Sequence, residues 1–138
     1  MHMYVKLLIG CMLLAGCSNK SDLERVVVSG KVRYQGQPVN QGSIMLIPTQ
    51  GTKGPTSAAT IENGTYEVKA SGGVPIGTHR VEIQGTRPTG EPKPERFQHI
   101  DAIPDPVEQY LPEKYNIKSE LTLTVESGSQ MTQDFELE

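Results

Sequence analysis

The residues able to do chemistry are few and widely spaced. Cys11 and Cys17 stand near the start, and His2, His79 and His99 are the only histidines in 138 residues. Nucleophilic catalysis needs a base within hydrogen-bond reach of the nucleophile, and a metal centre needs three or four converging ligands. His79 lies in a strand-like run and His99 in a proline-rich stretch, with no spacing that sets both on one face. His99, Asp101 and Asp105 come nearest to a ligand set, but acids on a loop are ordinarily just solvated. Neither a phosphate-cradling glycine loop nor a nucleophile elbow is present. The expectation is therefore no enzyme, no metal and no dissociable cofactor.

The cysteines point elsewhere. The stretch "LLIGCMLLAGCSNKSD", residues 7–22, is apolar as far as Cys17 and polar beyond it, with Lys6 just ahead. An apolar run of this length falls well short of the roughly 20 residues that span a bilayer, and a cation followed by a short apolar core is the layout of a secretion signal. The segment "LAGC", Leu14 to Cys17, resembles the lipobox of bacterial lipoproteins. In that family the signal is cut before the cysteine, whose thiol takes a diacylglycerol group and whose new amino group is usually acylated as well, typically with a palmitate-like chain. The resemblance implies a cleaved signal at 1–16 and a covalent lipid on Cys17. Cys11 leaves with the signal, so neither cysteine belongs to the fold. One acyl chain holds a protein only marginally, at about 0.8 kcal/mol per buried methylene, whereas two or three make release negligible. Residues 17–25 then form a polar tether that keeps a domain at 26–138 close to the membrane.

Composition bounds that domain. Gly (14) and Pro (10) are plentiful while Phe (2), Tyr (5) and Trp (0) are scarce, which favours short strands and turns over packed helices. The formal charge is −3 and no cluster of Lys or Arg occurs, which argues against nucleic acid as a partner.

From residue 26 on, the apolar positions recur with period two. Val26, Val28, Val32 and Tyr34 share one face, as do Ile44 with Leu46, Tyr66 with Val68, and Val81 with Ile83. Leu121, Leu123 and Val125 continue the pattern, then Met131, Phe135 and Leu137. Asn63-Gly64, between two alternating runs, is the strongest short hairpin signal. About seven short strands with one wet face each predict an all-β fold, an antiparallel β-sandwich.

Three segments add a resemblance. "VSGKVRYQGQPVNQGSIMLIP", "ENGTYEV" and "GVPIGTHRVEI" follow one another as in the carboxypeptidase-regulatory or transthyretin-like (prealbumin-like) Greek-key sandwich, with His79 where that family usually has tyrosine. With the lipobox and "LPEKYN" at 111–116, the chain resembles a group of small planctomycete-type lipoproteins. The resemblance implies a non-catalytic domain. The transthyretin-like hydroxyisourate hydrolases are similar in fold but carry paired histidines and a C-terminal "YRGS", and this sequence ends "DFELE".

Residues 86–120 hold six of the ten prolines and read as one long loop. Its first half, "RPTGEPKPER", predicts an extended, mobile excursion. Its second half carries Phe97, Ile100, Ile103, Val107, Tyr110, Leu111, Tyr115 and Ile117, too much apolar surface to leave in water. Either it folds back to close an edge of the sandwich, or Tyr110, Leu111 and Tyr115 form an exposed contact patch for a partner. The functional expectation is an exported lipoprotein of the cell membrane or outer membrane, binding another envelope protein or serving as a structural module. A carbohydrate- or wall-polymer-binding sandwich is the alternative, against which stand the absence of Trp and the few aromatics able to stack on sugar rings; a hydrolase is the last.

Overall fold

The computed structural model describes residues 23–138, and these form an all-β fold built on one curled sheet. Its long members are β1 (Arg25–Tyr34), β3 (Gln41–Pro48), β4 (Ser57–Glu62), β5 (Thr65–Val68), β7 (Gly77–Pro88) and β9 (Thr122–Val125). Shorter segments are β2 (Gln37–Pro38), β6 (Val74–Pro75), β8 (Val107–Gln109), β10 (Gln130–Thr132) and β11 (Phe135–Leu137). Across the sheet the order is β10-β1-β5-β4-β3-β7-β8, with β9 beside β8 on the margin of β7.

The pairing is antiparallel with one exception. β10 and β11 run parallel to β1 at a common offset, so they are one strand interrupted at Gln133 and Asp134. The Asp134 carboxylate fills the gap by accepting the Lys31 main-chain N–H at 2.8 Å. The alternating pattern does not distinguish parallel from antiparallel neighbours, so this pairing was not among the expectations.

Chain length forces the curl. A flat path from β10 to β9 crosses six spacings of about 4.8 Å, or about 29 Å. Residues 126–129 alone connect Val125 to Gln130, and that connection reaches no more than about 18 Å when extended. The two margins must approach one another, and the inward row closes into a core.

Period-two alternation chose that row. Val26, Val28, Val32, Ile44, Leu46, Ile61, Val68, Val81 and Ile83 are almost wholly buried, with Tyr66, Leu123, Val125, Phe135 and Leu137 beside them. Tyr34, Leu121 and Met131, expected on the same face, are only partly buried. Asn63 and Gly64 both have positive φ, 51° and 76°, which makes the β4–β5 link a two-residue mirror-image turn whose twist matches its strands.

The domain's first strand begins at Arg25, and the Glu24 carbonyl already accepts the Ile76 N–H, so ordered chain reaches slightly beyond the expected boundary at 26. The long loop is also shorter than expected. Residues 86–88 still belong to β7, and β8 pairs back onto them through Thr86↔Gln109, Arg87↔Glu108 and Pro88↔Val107.

Candidate functional site

The return of the proline-rich segment to the sheet builds the most elaborate side-chain arrangement in the fold. Pro112 and the tight turn at Glu113–Tyr115 reverse the chain, sending Leu111 and Tyr115 into the core. Gly85 of β7 makes room for them. A Cβ there would stand 3.0 Å from Leu111 Cγ and 3.1 Å from Tyr110 Cε1, so a side chain at 85 would displace the loop.

Polar groups fasten the return. Gln109 acts as a bracket: its Oε1 accepts the Leu111 N–H at 2.7 Å while its Nε2 donates to the Leu111 carbonyl, also at 2.7 Å. Asn116 Nδ2 donates to the Pro112 carbonyl at 3.1 Å, and the buried Ser119 hydroxyl donates to the Val81 carbonyl at 2.5 Å. The Tyr115 hydroxyl both donates to the Glu138 main-chain oxygen and accepts the Glu138 N–H. Tyr34 of β1 meets Tyr110 and Tyr115, with ring centroids 6.0 and 6.5 Å apart.

Of the three residues expected at a partner-contact patch, only Tyr110 keeps appreciable exposure. Leu111 and Tyr115 are turned inward because Gly85 and Tyr34 offer them an apolar seat, and "LPEKYN" is an internal clasp. Burial of the loop's apolar residues is incomplete. Ile100, Val107 and Ile117 remain exposed.

Beside this clasp lies an open cleft of about 680 Å³ at the rim, lined among others by Asn40, Gln41, Asn63, Thr86 and Tyr110. Arg87 closes one side. Its guanidinium sits 5.2 Å from the Tyr110 ring centre and its Nε lies 2.8 Å from Glu108 Oε1. Burial pushes the Tyr110 phenol up, and Arg87 pulls the other way, so the phenol beside the cleft stays neutral. Sequence reading singled out Tyr110 but missed its partners. Their signal lies in the register: Glu62, Gln41 and Thr86 are paired neighbours on three adjacent strands.

The other expected residues are placed apart. His79 is wholly buried at the end of the inward row of β7. Its Nδ1 is 3.2 Å from the Gly77 carbonyl, which requires the hydrogen on Nδ1 and leaves Nε2 with no partner. Burial lowers the imidazole's pKa, against a smaller upward effect of that hydrogen bond. His99, Asp101 and Asp105 are exposed, and Asp105 faces Lys93 at 3.7 Å. Among the described residues no three His, Cys, Asp or Glu side chains gather as metal ligands would. No helix among them is long and apolar enough to cross a membrane. The expected signal at 1–16 and the expected lipid site Cys17 lie outside the described residues.

Compared with known protein families, with curated proteins and with solved structures, the chain finds no match.

Proposed function

We propose that this chain is an exported lipoprotein, anchored by lipid on Cys17 to the cell membrane or outer membrane, whose β-domain is a non-catalytic binding module of the cell envelope. Its curled sheet is taken as a Greek-key sandwich of the transthyretin-like kind. The lipobox-like "LAGC" supports the anchor, and the polar tether up to Arg25 supports a domain held near the bilayer surface.

One observation carries the binding role. At the rim cleft the exposed side chains of Asn40, Gln41 and Asn63 line the same opening as Tyr110, and each amide can both donate and accept. Groups of this kind recognise a ligand through hydrogen bonds. The inward seat of Leu111 and Tyr115 removes the flat aromatic patch that a protein partner would use, which moves weight toward the carbohydrate or wall-polymer reading.

The anchor is tested by metabolic labelling with a radioactive fatty acid. Wild-type protein is expected to take up label and sediment with membranes, and Cys17→Ala to take up none, being either released or left with its signal uncleaved. Equal labelling of the variant would overturn the lipid assignment.

A further inference from the structure

Three depressions on the outer face of the sheet are continuous. The first, about 710 Å³, crosses β10, β1, β5 and β4; the second, about 400 Å³, crosses β4, β3 and β7; the third is the rim cleft. Thr60 and Glu62 line both of the first two, while Gln41, Glu62 and Thr86 line both of the last two. The result is a trough running across the strands. From β10 to β7 it covers five strand spacings, about 24 Å along the surface, and it then turns over the rim to Tyr110.

Its lining mixes polar side-chain tips with the carbon of their stems and of the backbone. The side chains that point outward into it are hydroxyls, amides and charged groups, such as Ser29, Ser43, Thr60, Gln84 and Thr132; its apolar exceptions, Pro88 and the Tyr110 ring, lie at the rim end. Ile61 and Tyr66 border the trough but are buried in the core.

Charge is balanced along it. Lys31, Lys69 and Arg87 face Glu62, Glu67 and Asp134. Two of the cations are already engaged by acids at 2.8 Å, Lys69 by Glu67 and Arg87 by Glu108. Such a surface offers many hydrogen bonds and almost no net field.

From this we infer that the trough is a binding site for a neutral, hydroxyl-rich polymer, an uncharged polysaccharide lying across the strands. The inference deepens the binding-module reading and rests on it. An anionic polymer would need the surplus of Lys and Arg that the trough lacks. An extended polypeptide is recognised through strand pairing at a sheet edge, or through apolar sockets for its side chains. The trough lies on a sheet face, not an edge, and its length is lined with polar groups. Because each hydrogen bond gained from water is modest and the trough is open, useful affinity requires many contacts along an extended ligand.

The test uses the full chain in detergent micelles, co-sedimented with insoluble cellulose, chitin, β-1,3-glucan and starch. Polygalacturonate and denatured casein, each coupled to beads, serve as the anionic and polypeptide probes. Retention on at least one neutral glycan is expected, unchanged in high salt and competed by its soluble oligosaccharide. Thr60→Ala and Gln84→Ala, both outward-facing, are each expected to weaken retention at least about fivefold while circular dichroism and the melting midpoint hold. No retention on any of the four glycans, or retention only on polygalacturonate or casein, would overturn the inference. So would full retention by a folded Thr60→Ala, Gln84→Ala double variant. Fatty-acid labelling of Cys17 reads the anchored-module proposal separately, and none of these outcomes alters it.

Discussion

The Tyr115 phenol and the backbone of Glu138 exchange two hydrogen bonds, 2.5 Å from the hydroxyl to the main-chain oxygen and 2.7 Å from the N–H to the hydroxyl. This one contact ties the loop that follows the proline-rich excursion to the last strand, 23 positions away. The clasp and the sheet's parallel margin are therefore parts of one structure, and the clasp borders the rim cleft through Tyr110.

Tyr115→Phe keeps the buried ring and deletes both bonds. Two partners are left unsatisfied at a partly buried site, so the expected loss is about 1–2 kcal/mol. Urea unfolding followed by far-UV circular dichroism measures it. A midpoint equal to wild type would show that the exchange with Glu138 contributes nothing.

Gly85→Val drives atoms into Leu111 and Tyr110, and overpacking of this kind costs about 1–3 kcal/mol. The more specific readout is proteolysis. In the wild type trypsin is expected to cut after the exposed Arg96 and to spare Lys114, which the clasp holds in a tight turn. In the variant the cut after Lys114 should appear at a similar rate. A clasp that stays closed to trypsin would mean that Gly85 is not what seats it.

The alternating runs made the inward rows of β1, β3, β5, β7, β9 and β11 legible in the sequence, and Asn63-Gly64 announced its hairpin. The same period also places His79 inside, two positions before Val81, although its polarity hid that. Val39 and Val74 are wholly buried too, yet they sit in turn-rich stretches too short to show any period. The parallel pairing of β1, the seat under Gly85 and the row Glu62–Gln41–Thr86 depend on register between strands remote in sequence. No local pattern encodes that. "LPEKYN" was legible as an ordered apolar segment, but whether it faced inward depended on Gly85 and Tyr34, which lie 26 and 77 positions before Leu111.

His79 makes stability depend on pH. Its folded pKa lies below the ordinary value of 6.5 because burial opposes the charged form. Below pH 6.5 the unfolded chain therefore binds more protons than the folded one. Stability from this group is complete above about 6.5 and falls as the pH drops toward the folded value. Melting midpoints of wild type and His79→Leu, taken from pH 7.5 down to about 5, isolate the effect from that of the carboxylates. The wild type is expected to lose stability relative to the variant on acidification; parallel curves would exclude a buried neutral imidazole.

The central proposal, that the domain binds an envelope component along its outer sheet face, is tested most directly in living cells. A diazirine amino acid at Gln41, exposed where the second and third depressions meet, inserts into protein and carbohydrate alike. Irradiation of cells carrying the otherwise native chain should give adducts heavier than the chain itself, which diminish when Gln84 is also changed to alanine. Crosslinks confined to the chain's own strands would contradict the account.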